Sequence, residues 1–206
     1  VWALLASLGQ ILVPTLGVLA LTTALERSGL LGEVGLSVNA VLAVAGFALF
    51  VAAWLGSRAF PRVVLRDDVL NLPPERRAEG RLHSVLLGLT LGAEMLREAS
   101  MGPQAYSDAT TSVMSFPILL AAGLVLWRVG RLLRNPVTAA AGEKMPSHNH
   151  SYTLRLLAIV GRGIALVGVL APALAAFGYV QAANALIFPT IISLGLVTVL
   201  FILIGK

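Results

Sequence analysis

Charge is what this sequence has least of. From Gly163 to Gly205, forty-three consecutive residues include no Asp, Glu, Lys or Arg, and over all 206 residues the charged types make up only 12%. An ordinary soluble domain carries about twice that share. As a single helix the uncharged stretch would be roughly 65 Å long at about 1.5 Å per residue, twice the ~30 Å hydrocarbon core of a bilayer, so it must turn back on itself. Cysteine is absent, which excludes disulfides, thiolate metal sites and a cysteine nucleophile. Aromatics are 6%, and they are not interleaved with basic residues as a nucleic-acid-binding surface would require. There is no HExxH, nucleophile elbow, phosphate loop or pair of intramembrane aspartates. Nothing in the residues therefore points to an enzyme, a cofactor or a resident metal.

What is present is apolar, with hydrophobic residues at 57%. In lipid every backbone N–H and C=O needs an internal partner, so apolar stretches of span length are helices rather than open strands. The expectation is an all-α, polytopic membrane helix bundle forming one transmembrane domain. Its six spans lie at about 1–25, 36–60, 82–99, 112–133, 152–177 and 182–205. The uncharged stretch forms the last two, turning through Gly178 to Asn184, where Gly178, Tyr179, Gln181 and Asn184 suit the headgroup region. The chain begins at Val1, already inside an apolar run, and reads as a piece of a longer protein. Its first run is too long for a signal peptide and lacks a basic leader.

Two stripes of small residues mark packing faces, Ala48, Ala52 and Gly56 in the second span and Ser84, Gly88 and Gly92 in the third, since small side chains let helix backbones approach closely in lipid. The third span is the least apolar, and a re-entrant or interfacial helix is its rival reading. Pro14 falls near the middle of the first span, where a missing N–H favours a static kink over a hinge, and Pro189 inside the sixth is a further candidate functional position. Trp54 near the end of span two, and Trp127, Arg128, Arg131 and Arg134 at the end of span four, are membrane-interface anchors, because indoles sit at headgroup depth and long cations snorkel to water.

Lys and Arg alternate between connections. Arg58, Arg62, Arg66, Arg76, Arg77 and Arg81 surround the second connection, and Arg128, Arg131, Arg134, Lys144 and Arg155 the fourth, while the other three hold only Arg27 and Arg97. By the positive-inside rule, connections 61–81 and 134–151 are cytoplasmic, and both ends of the chain with them. The net charge of +5 is thus mainly an orientation signal, and membrane lipids, anionic ones included, are the expected partners. The segment 135–151 reads as a flexible linker.

Three places carry potential chemistry. Arg162 lies inside the fifth span between Gly161 and Gly163; a charge at the membrane centre costs about 3 kcal/mol on insertion scales, so it is either functional or snorkels to the cytoplasmic end. Glu94 in the third span is a proton or cation site or, the favoured reading, a snorkelling end residue. His148 and His150 would converge on a metal only in an extended segment and lack further ligands, so the linker reading prevails there. Asn149-His150-Ser151 is formally a glycosylation triplet, on the cytoplasmic side by the charge count.

Gly163-Ile164-Ala165-Leu166-Val167-Gly168-Val169-Leu170-Ala171-Pro172, followed by Leu174 to Tyr179 and Ala185 to Leu194, resembles the region ahead of the pore in mechanosensitive channels of the small-conductance (MscS) family. The likeness is to large bacterial members with an additional periplasmic domain, and Trp127 to Arg134 and Ala53 to Pro61 share it. The resemblance implies an auxiliary, tension-sensing bundle in a bacterial inner membrane that protects against osmotic downshock. It also implies a homo-oligomer, heptameric in that family, whose ions permeate a pore outside this segment. The family's Gly/Ala-rich pore helix and β-rich cytoplasmic domain are not identifiable here, and a periplasmic domain would require either one more span ahead of Val1, the favoured reading, or a third segment that does not span. The alternatives are a secondary transporter with helices broken at Pro14, Pro172 and Pro189, or a structural membrane scaffold.

The charge alternation is testable by labelling. In intact cells a cysteine replacing Ala78 is expected to be shielded from a membrane-impermeant thiol reagent and one replacing Ser107 to react; labelling of the Ala78 position from outside would invert the topology.

Overall fold

A computed structural model describes residues 2–61, 73–102, 106–134 and 148–204. The fold is all-helical: α1 Trp2–Arg27, α2 Glu33–Ala59, α3 Pro74–Met101, α4 Asp108–Arg134, α5 His148–Ala176 and α6 Val180–Ile204, with no strand among the described residues. Five helices, all but α3, are long and apolar enough to cross a bilayer. The chain is a multi-pass membrane protein. Large apolar side chains such as Val13, Leu16, Val113, Leu166 and Leu196 stand exposed on its outer faces, as expected where the surroundings are lipid rather than water.

Sequence neighbours are spatial neighbours from α1 to α6, and α6 also packs on α2 and α4. Short connections enforce this for α1–α2, α3–α4 and α5–α6, whereas α2–α3 and α4–α5 are joined by longer ones. Gly29, at φ +67°, helps turn α1 into α2. The α5–α6 connection is tighter than the seven residues expected from Gly178 to Asn184. Gly178 adopts φ +89°, its N–H bonds the Ala175 carbonyl at 3.0 Å, and the Tyr179 N–H bonds the Leu174 carbonyl at 2.9 Å. That pair of bonds is a Schellman motif, which reverses the chain at an αL glycine. Helix α6 therefore starts at Val180 and takes Gln181 and Asn184 into its first turns.

The two closest pairs are sealed through backbone. In α2–α3 the two stripes of small residues meet, with contacts recurring every fourth residue along α3 from Gly80 to Gly92. The Phe60 ring lies on Gly80, a Cβ on Gly56 would come within 2.6 Å of the Ser84 Cβ, and one on Gly88 within 2.6 Å of the Ala52 Cβ. Gly92 abuts Ala45. In α4–α5 the contacts are reciprocal. A Cβ on Gly130 would lie 2.5 Å from the Gly161 carbonyl oxygen, and one on Gly161 2.8 Å from the Gly130 carbonyl. Seven residues along each helix, Gly123 and Gly168 repeat the arrangement at 2.6 and 2.7 Å. Such carbonyls face Cα–H groups of the opposite helix, a weak but favourable contact between helices. Leu119, Leu126 and Ile187, all fully buried, fill the space between α4, α5 and α6 together with Ala122, Ala171 and Ala183.

Helix α3 departs from its expected 82–99. It begins at Pro74, a favourable first-turn proline, and spans roughly 42 Å at about 1.5 Å per residue, but it is not apolar enough to count among the five. Three of its polar groups are instead turned into protein, since Arg77, Thr90 and Glu94 are buried, and its glycine stripe is covered by α2. A helix sheathed by neighbours does not need the hydropathy that lipid exposure demands.

The glycine seams predict an asymmetric mutational response. Gly130→Ala or Gly161→Ala places a methyl against backbone atoms that cannot rotate away and is expected to destabilise by roughly 1–3 kcal/mol. Gly163→Ala, with nothing within 4 Å, should instead be neutral or gain up to about 1 kcal/mol from helix propensity. Thermal midpoints in detergent micelles check both, and equal effects at Gly130 and Gly163 would contradict the seam.

Candidate functional site at the basic end of the bundle

The α2 C-terminus, α3 N-terminus, α4 C-terminus and α5 N-terminus share one end of the bundle. Arg128 Nε bonds Glu79 Oε1 at 2.9 Å, tying α4 to α3, and Arg81 Nη1 donates to the Phe60 carbonyl at 2.9 Å, capping α2. Gly161 lies against Gly130, Leu133 and the Arg134 amide, which sets the start of α5 beside the end of α4. Among the described residues this end gathers Arg58, Arg76, Arg77, Arg81, Arg128, Arg131, Arg134, Arg155 and Arg162 against Glu75 and Glu79. The opposite end has Glu26, Glu33, Glu94, Glu98 and Asp108 against Arg27 and Arg97. Alternation along the sequence thus becomes a charge asymmetry across the fold.

Both interfacial tryptophans at the basic end carry an arginine one turn on. The Arg58 guanidinium stands 6.0 Å from the Trp54 ring centroid and that of Arg131 5.8 Å from Trp127, within reach of a cation–π attraction. Trp127, Arg128, Arg131, Arg134 and Arg162 are all exposed. Arg162 is brought to the depth of Arg131 and Arg134 by the Gly130–Gly161 contact, so it belongs to this end and not to the middle of the bundle. Its neighbours divide the labour: Gly161 is buried in the seam, and Gly163 is open.

The remaining candidates lie elsewhere. Glu94 is buried at 7% exposure and does not snorkel. Arg97 grips it with two charge-assisted bonds, Nη2 to Oε1 at 2.6 Å and Nε to Oε2 at 2.9 Å, while Arg97 Nη1 also meets Met101 Sδ at 3.2 Å. The spacing of three residues places the partners on one helix face. Gly178 and Tyr179 form the exposed turn at the opposite end. Helices α1 and α6 continue through Pro14 and Pro189. His148 and His150 begin α5, so the backbone there is helical and not the extended segment a two-histidine site needs; their side chains, like residues 135–147 of the expected linker, lie outside the described residues.

One polar group escaped the sequence reading. Asn39, buried in α2, donates from Nδ2 to the Thr22 carbonyl of α1 at 2.9 Å. Among the described residues its Oδ1, and that of Asn184 in α6, have no hydrogen-bond partner. The available signal was a lone amide inside an apolar run, which in lipid marks a helix contact.

No protein family, curated protein or solved structure matches this chain.

The Glu94–Arg97 ion pair gives a prediction with a sign. Glu94→Ala removes the carboxylate that Arg97 grips, leaving Glu98 as its remaining nearby counter-charge, and should cost roughly 1–3 kcal/mol. The double variant Glu94→Leu/Arg97→Met, with no charge left to bury, should lie closer to wild type than either single change. Thermal unfolding of the four proteins forms the cycle, and simple additivity would mean that the two groups do not interact.

Proposed function

We propose that this chain is an auxiliary, tension-sensing transmembrane region of an MscS-type mechanosensitive channel, set beside the pore and coupled to it through lipid and helix contacts. The observation that supports this reading best is the pairing of helices into backbone-sealed hairpins, α2 with α3 and α4 with α5. Each behaves as a stiff paddle with apolar outer surfaces. Bilayer tension favours whichever state has the larger in-plane area, and paddles that grip lipid bias that equilibrium without conducting ions themselves. Trp54 with Arg58 and Trp127 with Arg131 supply grip at headgroup depth. The bacterial inner membrane, a cytoplasmic basic end and homo-oligomeric assembly belong to the same reading.

A secondary transporter draws less support. That mechanism uses discontinuous helices at the midplane, whereas α1, α4, α5 and α6 run unbroken through Pro14, Pro117, Pro172 and Pro189. Patch-clamp recording separates the two. The purified chain in liposomes is expected to insert and pass no current, and its removal from a longer channel should shift the opening tension without abolishing the pore. Tension-gated currents from the chain alone would place the pore within these helices, and concentrative solute uptake would favour the transporter.

A further inference from the structure

The α4–α5 pair has a flank that no other helix covers. On α4, Leu120, Leu124, Trp127, Arg131 and Arg134 are exposed, and on α5, Arg155, Ile159, Arg162, Leu166 and Val169. In each helix these positions recur at intervals of three and four, so each set forms one face. Both faces lie on the same side of the pair. In an antiparallel pair, residues one position C-terminal to two facing contacts emerge on a common flank, and Arg131 and Arg162 follow the facing Gly130 and Gly161 directly. Glu79, which pairs with Arg128, approaches α4 from the α3 side.

The glycine register also orders the flank by depth. Arg155 lies nearest the end, then Arg134, then Arg131 level with Arg162, then Trp127, and below them Leu124, Leu166, Leu120 and Val169. That sequence of cation, indole and hydrocarbon matches a phospholipid read from headgroup to chain. Among the described residues no carboxylate pairs with Arg131, Arg134, Arg155 or Arg162, so four cations face one groove whose floor is the Gly130–Gly161 seam.

We propose that this flank is a binding site for an anionic phospholipid, its phosphate held by Arg131 and Arg162 with Arg134 and Arg155 flanking, and an acyl chain laid along Leu124 and Leu166. An arginine fork can donate two parallel bonds to a phosphate, and a lipid with no net charge leaves the cation excess uncompensated. The occupant is a lipid and not a soluble anion because the apolar continuation of the groove requires a chain. This inference needs only the membrane-spanning fold and stands independently of the channel reading.

Trp127 lies between the arginines and the leucines and serves as reporter. The Trp2→Phe/Trp54→Phe variant leaves it as the single indole. The protein is reconstituted in phosphatidylcholine vesicles containing a small fraction of brominated phosphatidylglycerol, with brominated phosphatidylcholine at the same fraction as reference. Bromine-dependent quenching should show phosphatidylglycerol enriched about fivefold over the bulk at Trp127. Arg131→Gln/Arg162→Gln should return quenching to the reference value, while Arg27→Gln at the opposite end leaves it enriched. Helix content and elution volume confirm that each variant is folded. Equal quenching by the two lipids, or enrichment that survives Arg131→Gln/Arg162→Gln, would overturn the site.

Discussion

The constraint from which this fold follows is that lipid offers its helices no partner for hydrogen bonding and little drive to associate. Hydrocarbon chains are as apolar as leucine, so burying a leucine between helices gains much less than it would in water. Close packing must supply what the hydrophobic effect does not. Here it comes from glycine: at Gly123, Gly130, Gly161 and Gly168 the backbones of α4 and α5 approach until a single methyl would collide, bringing many atoms within the range where dispersion and Cα–H contacts act. The α2–α3 seam reaches the same result with a four-residue repeat, and its contacts reach from Phe60 to Ala45.

These seams also decide what polarity each helix can carry. Helix α3 brings Arg77, Thr90 and Glu94 into the bundle, a load that a lipid-facing helix would not tolerate. It does so because α2 covers its glycine stripe and Arg97 neutralises Glu94 through a bidentate contact. Most arginines at the opposite end have another solution: Arg58, Arg128, Arg131 and Arg134 stand in the last turns of their helices, where water and headgroups are within reach of a long side chain.

Much of this was legible in advance, for identifiable reasons. Long uncharged runs determine membrane helices almost by themselves, and the alternation of arginines between connections became an asymmetry between ends. The Ala48-Ala52-Gly56 and Ser84-Gly88-Gly92 stripes were visible, because a four-residue repeat of small side chains is conspicuous, but not that they pack on each other. The seven-residue spacing of Gly123–Gly130 and Gly161–Gly168 was equally present and passed unnoticed, since glycines in an apolar run read as neutral filler until a partner helix gives them meaning. Arg162 was hard to place for a related reason. Hydropathy locates a residue along a span but not in depth, and its depth follows from the register of Gly161 on Gly130. The shortness of the last turn required knowing that Gly178 adopts positive φ.

Pro172 shows how the same residue can be read in opposite ways. In sequence it is a break in a membrane helix and hence a candidate hinge. In the fold its ring denies the Gly168 carbonyl an N–H partner, and that carbonyl lies against Gly123, which also receives the proline ring. The disruption is therefore absorbed by packing, and it joins α5 to α4. Since α2 is likewise joined to α3, the looser packing lies between these hairpins and their neighbours, at the α3–α4 and α2–α6 contacts. Closely packed interfaces have discrete arrangements and do not deform continuously, so under the proposed tension-sensing reading a load carried by lipid would displace whole hairpins and shift the bundle between packings with each helix left intact.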